Sequence, residues 1–430
     1  MGSPLIEQPT FGRRVRKLRL VRGLTQAQVA GDGMSTSYVS LVESGRRTPS
    51  AEIAEQIAER LNVSLADLAT PDEDAQQRSR RVALVGRLVA ARTATACGDH
   101  TSARAQLLAI ISDATASRID EAAWEARWEL AEVHGHLGDE ARRGEVLRDL
   151  LEDPLTTDSV LLHTRVSVAL SEVARRCGQL TDSMRWAEHA VAGAVTLEPT
   201  APERIMATLV LLSAYADSGA WEPARMVAAE LLEIIDDIEE NHLAGLACWA
   251  AGAVYFFADQ AEAASLFDRA LSLLDPAANL RLWGRLCRSA AAHQVATGNL
   301  AAAGSLLDRA TGALNLVGTP ADRALVAEVR LAARLRAGEL AYGSGEADLD
   351  LELPGLSTQD QARCLVLRAR IARMTSRLSE SAATYQQAAS QYEAAGAYRL
   401  ATEVWREYAE LTSGGGPAPP ARDHHALVMP

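Results

Sequence analysis

The chain has 430 residues and a formal net charge of −13, and 48% of its residues are apolar but only 4% are aromatic. This length exceeds what one ordinary core supports, so we expect two domains or a repeat array. The abundance of alanine and leucine favours helices packed on helices over a sheet protein. Neither a run of 18 apolar residues nor an apolar leader segment occurs, so we expect no membrane span and no secretory signal.

The cysteines and the basic residues indicate a cellular setting. Five cysteines are spread along the chain without a C-x-x-C pair. We therefore expect reduced thiols that serve as small core residues in a cytoplasmic protein. All basic residues except Lys17 are arginines, which favours a GC-rich bacterial genome.

Charge is unevenly distributed along the chain. Residues 1–50 contain eight basic and three acidic residues, a net charge of +5, which leaves −18 for the rest. A basic head on an acidic body suits contact with phosphate groups at one end of the chain only.

Residues 10–70 predict five short helices. The first lies in TFGRRVRKLRLVRG and places Phe11, Val15 and Leu18 on one face. Thr25 is expected to cap the second helix, QAQVA, and the GDG that follows predicts a turn because glycine adopts backbone angles that other residues resist.

Three further helices follow this turn. Either Ser35 or Thr36 caps the third, TSYVSLVES, in which Val39 and Val42 are spaced for burial. The fourth begins at the Ser50 cap, and a fifth starts in VSLADL.

This head resembles the lambda-repressor/Cro (XRE-type) helix-turn-helix family in Arg19, GLTQ, Ala30, YVSLVESGRR and LNVSLADL. In that family the third helix enters the major groove of DNA. The resemblance implies a phosphate contact from the second helix, base contacts from the third helix and backbone contacts from two arginines after it. The implied DNA-binding residues are Gln26, Ser35, Thr36, Ser37, Tyr38, Ser40, Leu41, Arg46 and Arg47. It also implies an ion pair between Arg19 and Glu43.

The head departs from the family pattern at its turn. The segment GDGMS is one residue shorter than usual. The residues that contact the bases could therefore be shifted by one position along the third helix. The reading side chains are short and uncharged, so we expect modest base readout helped by DNA shape and dimerisation. The alternative is a helix-turn-helix used only for packing or protein contact.

Beyond residue 81 the chain repeats with a period close to 40. Eight turn signals recur at intervals of 39 to 41 residues: Gly98, Gly138, Gly178, Gly219, Asp259, Gly298, Gly338 and Arg377. A period this regular predicts a solenoid of helical hairpins. The hairpins resemble tetratricopeptide repeats, whose period is about 34 residues.

The predicted fold is therefore all-α: a five-helix helix-turn-helix domain followed by a right-handed α-solenoid of about eight tetratricopeptide-like hairpins. The expected domains are the head at 1–70, a linker at 71–80, a sensor and dimerisation domain at 81–412 and a disordered tail at 413–430. The second helix of the hairpin whose turn is at Gly338 is expected to be short or irregular, since its sequence contains two glycines, a proline and alternating acids.

The inner face of the solenoid is the predicted ligand site. Residues at fixed distances before each turn signal are expected to point to this inner face. The aromatic and arginine residues at these positions suit an extended peptide or a small amphiphile: Trp128, Arg165, Trp249, Phe256, Arg285 and Arg288. The alternative for each residue taken alone is a place in the core between repeats or on a solvated face.

No catalytic or metal-binding motif is present, so we expect neither an enzyme nor a cofactor nor a metal site. A head and body of these kinds resemble bacterial regulators that respond to a signal, often a quorum-sensing peptide. The resemblance implies a cytoplasmic homodimer that binds a palindromic operator in double-stranded DNA and responds to a peptide or small molecule. The alternative is a protein-interaction scaffold with secondary DNA binding.

Overall fold

The computed structural model describes residues 6–69, 73–256, 258–339 and 356–413, and within these ranges the regular structure is helical, with no strand. The chain divides into two compact units, residues 1–126 and 127–430. The all-α prediction is confirmed.

The first unit contains the five predicted head helices and one longer hairpin. Its helices are α1 (Thr10–Val21), α2 (Gln26–Ala30), α3 (Thr36–Glu43), α4 (Ala51–Arg60), α5 (Leu65–Ala69), α6 (Glu73–Ala96) and α7 (His100–Ala116), and it ends inside α8 (Asp120–His136). A short 3₁₀ turn, Gly31–Gly33, joins α2 to α3.

Local sequence accounts for where the head helices begin. Thr25 forms a reciprocal capping box with Gln28 at the start of α2. Ser35, and not Thr36, caps α3 by accepting from the amide of Tyr38. Each cap satisfies a backbone amide that the first turn of a helix leaves without a partner.

The head has its own apolar core, and Gly12 sets the approach of α1 to α3. Phe11, Val15, Val39 and Val42 are buried in this core. A side chain at Gly12 would place its Cβ 1.9 Å from the carbonyl oxygen of Val42, so only glycine fits between the two helices.

Helix α6 occupies most of the segment that the sequence predicts as a linker, since it begins at Glu73. Residues 76–83 of α6 are exposed, and burial begins only later, at Leu84, Leu88 and Ala91. The linker composition therefore reflects an exposed helix start, and the domain limits stay a proposal.

The second unit begins inside α8 and consists of further helical hairpins. Its further helices are α9 (Glu140–Leu151), α10 (Pro154–Thr157), α11 (Val160–Arg176), α12 (Leu180–Ala194), α13 (Pro202–Ser218), α14 (Trp221–Ile234), α15 (Asn241–Tyr255), α16 (Gln260–Leu273), α17 (Leu280–Thr297), α18 (Leu300–Val317), α19 (Pro320–Arg336), α20 (Thr358–Met374), α21 (Leu378–Ala395) and α22 (Tyr398–Thr412).

The predicted turn signals other than Gly338 lie at the turns between paired helices. Gly338 follows α19, and the residues after 339 that would form its second helix lie outside the described ranges. The glycines at these positions have φ between 71° and 84°, which other residues rarely adopt. Asp259 replaces glycine at one turn, where its carboxylate caps α16 by accepting from the amides of Ala261 and Glu262. At the last signal the left-handed residue is Ser376, with φ 61°, one position before Arg377.

The two helices of a hairpin differ in burial. In α15, the first helix of its pair, residues on every side are buried, whereas in α16 burial follows one face. First helices also pack against one another, as α11 does on α13 and α13 on α15. They therefore form an inner layer that the second helices cover.

The second unit closes on itself. A Cβ on Gly178, after α11, would lie 2.8 Å from Oγ1 of Thr358 in α20, and one on Gly219, after α13, would lie 3.1 Å from Cβ of Arg399 in α22. Leu180 belongs to the same apolar cluster as residues of the last hairpin, which α20 and α21 form. The last hairpin and α22 thus pack against turns about 180 residues earlier in the chain.

Two sequence predictions lie outside the described residues. The segment expected to be short or irregular after Gly338 falls mainly within residues 340–355, and the tail expected to be disordered falls on residues 414–430.

Candidate DNA-binding surface and ligand-binding regions

Helix α3 presents a polar face beside a buried one. Val39 and Val42 are fully buried, whereas Thr36, Ser37 and Ser40 are exposed. A fourth exposed side chain on this helix is Leu41, with 41% of its surface accessible. This face carries hydroxyl groups and a methyl-bearing side chain, which suit contact with base edges and with the thymine methyl group.

The backbone after α3 is held in a fixed position by Gln8. The amides of Arg46 and Arg47 both donate to the carbonyl of Leu41. The Gln8 side-chain amide donates to the carbonyls of Val42 (3.2 Å) and Arg47 (2.8 Å). Both arginine side chains are exposed, so this arrangement presents two cations from an ordered loop.

Arg47 also lies near Tyr38, with its guanidinium carbon 5.9 Å from the ring centroid. That distance is within the range of a cation–π contact. Tyr38 is half-buried and thus lies at the margin of the exposed face. Sequence reasoning identified both residues but missed Gln8, which precedes the motif and carries no family signature.

The implied pair of Arg19 and Glu43 is present. Arg19 Nε donates to Glu43 Oε1 at 2.5 Å, and Nη2 donates to Oε2 at 3.1 Å. The hydrogen bond to Glu43 raises the pKa of Arg19. Because Glu43 is only 4% exposed, the pair ties α1 to α3 inside the head.

Gln26 joins the same pair. Its amide donates to Glu43 Oε2 at 2.8 Å, while the resemblance implies a phosphate contact for this residue. Gln26 is half-buried, so part of the side chain remains accessible. The structure therefore places Gln26 in the support of α3, and the phosphate contact stays a prediction.

Arg60 stabilises the shortened turn between α2 and α3. Its guanidinium donates to the carbonyl of Val29 at 3.0 Å and to that of Ala30. Gly31 has φ 51°, a conformation that other residues rarely adopt, so the turn needs glycine here. Sequence reasoning noted the missing residue but not the arginine that satisfies the turn.

In the second unit, Trp128 and Arg165 line one cleft of about 430 Å³ between α8, α9, α11 and α13. Arg165 forms an ion pair with Glu203 at 2.7 Å, and 59% of its side chain is exposed. Met206 adds an apolar surface to the cleft. This region combines aromatic, apolar and charged groups, as ligand sites commonly do.

Arg143 lies at the base of this cleft and is nearly buried. Its guanidinium is 3.1 Å from Glu132 and 3.6 Å from both Glu140 and Glu172. Burial lowers the pKa of Arg143, but the three carboxylates outweigh burial and raise it. Three carboxylates therefore surround this one arginine. Arg143 was not among the residues that the sequence repeat predicted for the inner face.

Trp249 and Phe256 lie in the core. Their exposed fractions are 0% and 2%, and both belong to the largest apolar cluster of the second unit. The ring of Phe256 meets that of His293 edge-on at 5.1 Å. Contact with a ligand would require α15 to pack differently, and their place in a ligand site stays a prediction.

Arg285 and Arg288 face a group of charges formed by α11, α13, α17, α19 and α20. Arg288, Asp322, Glu328 and Arg363 are buried in it, whereas Arg281 at its edge is exposed. This interior charge cluster contains five arginines: Arg175, Arg281, Arg285, Arg288 and Arg363. It contains four carboxylates: Asp217, Asp322, Glu328 and Asp360. The sequence predicted Arg285 and Arg288 as neighbours but not the cluster, because the groups on α11, α13 and α20 come together only when the unit closes.

Within the described residues, no helix is long and apolar enough to cross a membrane, and no three metal-ligating side chains gather into a site.

Comparison with known proteins defines the head as a helix-turn-helix domain: the family model described as Helix-turn-helix matches residues 15–68. The uncharacterised HTH-type transcriptional regulator YazB of Bacillus subtilis is 39% identical over 69 residues, which are 16% of this chain and all of YazB. Regulator y4dJ of Sinorhizobium fredii is 39% identical over 64 residues, 15% of this chain and 83% of y4dJ. The chain belongs to the helix-turn-helix transcriptional regulators of the XRE type.

The apo form of the quorum sensor NprR from B. thuringiensis is similar over 93% of this chain and 97% of NprR, at 11% identity and a TM-score of 0.45. This likeness is too weak to indicate what the second unit binds.

Proposed function

We propose that the protein is a sequence-specific DNA-binding regulator that acts as a homodimer and responds to a signal bound by its helical-repeat body. The observation that carries this proposal is the exposed polar face of α3, flanked by Arg46 and Arg47 on an ordered loop. On this proposal Thr36, Ser37, Ser40 and Leu41 face base edges, while Ser35, Gln26 and Tyr38 support or flank them.

Dimerisation follows from the size of the head. One such head contacts few base pairs, so two heads on a palindromic operator are needed for useful affinity. Residues 1–70 would act as the reading head, residues 71–80 as the link and residues 81–412 as the dimerising sensor. A regulator of this kind would act in the cytoplasm, where it meets DNA.

The cleft that contains Trp128 and Arg165 is our candidate for the signal site. An aromatic surface beside an arginine and several carboxylates suits a peptide or a small polar molecule. Binding there would change how α8, α11 and α13 stack, and a solenoid transmits such a change from hairpin to hairpin.

The test is a titration of the full-length protein against a duplex from the region upstream of its own gene and against a scrambled duplex, at 50 and 200 mM salt. We expect roughly a thousandfold preference for the first duplex and a steep loss of affinity with salt. Equal and weak affinity for both duplexes would instead support a protein-interaction scaffold with secondary DNA binding. Sedimentation of the same samples measures the dimer.

A further inference from the structure

Among the residues that the structure describes, the interior charge cluster of the second unit contains one more arginine than carboxylates. Five arginines against four ionised carboxylates give these described residues a net charge of +1. Each carboxylate already has an arginine partner. Asp217 pairs with Arg175 at 3.3 Å, and Asp322 pairs with Arg281 at 2.7 Å.

Arg363 pairs with the two remaining carboxylates, Asp360 at 3.0 Å and Glu328 at 3.5 Å. Asp360 also accepts from the hydroxyl of Ser357, and Asp322 caps α19 through Thr319. The carboxylates are thus occupied by groups other than Arg288.

Arg288 is the arginine left over. It is 2% exposed, and neither its Nε nor its Nη1 has a hydrogen-bond partner among the described residues. Burial and the neighbouring Arg285 and Arg363 lower the pKa of Arg288 to about 10, so the guanidinium remains charged at neutral pH. A buried charge without a partner is strongly unfavourable, because no group in the described part of the chain replaces the water that Arg288 has lost.

We propose that Arg288 binds an anion, namely the carboxylate or phosphate group of a small molecule or peptide. The oxyanion would accept hydrogen bonds from Nε and Nη1 and offset the excess positive charge of the described cluster. Since α11, α13, α17, α19 and α20 all contribute to the cluster, the anion would stabilise the contact between the last hairpin and the earlier ones. This site rests on the proposed sensor role for its purpose, but its existence does not depend on DNA binding.

The proposal predicts an unusual effect of Arg288→Met. In chloride alone, removal of an unpaired buried charge should raise the Tm of the full-length protein by roughly 2 °C or more. An arginine satisfied within the fold would instead lower the Tm when it is lost. All seven tryptophans lie at residue 124 or later, so tryptophan fluorescence reports the body and not the head. Arg330→Met, at an exposed position on α19, is the matched control and should change the Tm little.

Sodium phosphate and sodium acetate then serve as the probes, each compared with chloride at equal ionic strength and pH 7.5. The wild type and Arg330→Met should gain roughly 2 °C or more in at least one oxyanion, and Arg288→Met should gain nothing. Gain in phosphate alone assigns a phosphate group, and gain in acetate alone assigns a carboxylate. A lower Tm for Arg288→Met in chloride, no oxyanion effect on the wild type, or an equal effect on both variants would each overturn the proposal. Because no DNA is present, failure here leaves the DNA titration unaffected, and the reverse also holds.

Discussion

Arg19 in the head and Arg288 in the body show two ways in which an arginine can be buried. Arg19 uses all three nitrogens: two donate to Glu43, and Nη1 donates to the carbonyl of Leu24 at 3.0 Å. Arg288 is more deeply buried, yet two of its nitrogens have no partner within the described chain. The head therefore satisfies its interior charge by itself, whereas the body has an interior charge that an external anion would complete.

The largest expected effect is that of Glu43→Ala. Loss of this carboxylate leaves Arg19, with 11% of its side chain exposed, without its main partner and also frees the amide of Gln26. We expect the head to lose roughly 3 kcal/mol of stability. Hydrogen exchange of the amides in α3, measured in the full-length protein, should accelerate about a hundredfold.

Glu55→Ala is the control for this change, because Glu55 is exposed on α4. Its exchange rates should match those of the wild type. Unchanged protection of α3 in Glu43→Ala would show that the pair contributes nothing to the head.

Glycines also differ between head and body. Gly12→Ala would force a Cβ onto the carbonyl of Val42, so we expect the head to lose roughly 1–3 kcal/mol of stability. Gly304→Ala in α18 meets nothing within 4 Å and should stabilise the body by up to about 1 kcal/mol, through helix propensity. Hydrogen exchange measures the first and tryptophan fluorescence the second. Equal effects of the same sign would contradict this difference in packing.

The head could be predicted from sequence more fully than the body. Its five helices, its Thr25 and Ser50 caps and the Arg19–Glu43 pair follow from local signals or from family resemblance. Gln8 and Arg60 were missed, because each acts on carbonyl groups that are at least 30 residues away in sequence.

In the body, the period of 40 predicted the turns but not the closure. The register placed Trp249 and Phe256 on an inner face, and the structure shows that the inner layer itself is packed there. Arg363 and Asp360 lie near Arg175 and Asp217 because the last hairpin returns to earlier turns. Such contacts depend on the pitch of the solenoid, which a repeat length does not determine.

Arg46→Ala combined with Arg47→Ala tests the loop after α3. The double variant should bind all duplexes more weakly, with a salt slope reduced by about 1.8, since two phosphate contacts are lost. Fluorescence anisotropy at several salt concentrations measures that slope. An unchanged slope would mean that neither arginine contacts the backbone.

Ser37→Ala provides the contrast. Loss of one hydroxyl on the reading face should change the preference between operator variants by about 1 kcal/mol and leave the salt slope unchanged. If the preference stays the same, the shortened turn has moved the reading face by a residue.

The smallest expected effect is the pH dependence of His293. Burial lowers the pKa of this imidazole, and neither ring nitrogen has a hydrogen-bond partner among the described residues. The unfolded chain therefore binds more protons, so stability is present above the unfolded pKa of about 6.5 and is lost as pH falls below it. His293→Leu should reduce the fall in Tm between pH 7.5 and pH 5.5, and His242→Leu, at an exposed position, should not. Identical pH profiles for the wild type and His293→Leu would refute this role.

The central claim, that two heads read DNA together through α3, is tested most directly by a nuclease footprint of the full-length protein on the region upstream of its own gene. We expect two protected half-sites with related sequences of opposite orientation, centred about 10 base pairs or a multiple of it apart. Protection of both half-sites should weaken together when Ser37 and Ser40 are both replaced by alanine. A single protected half-site, or uniform protection of any duplex, would contradict it.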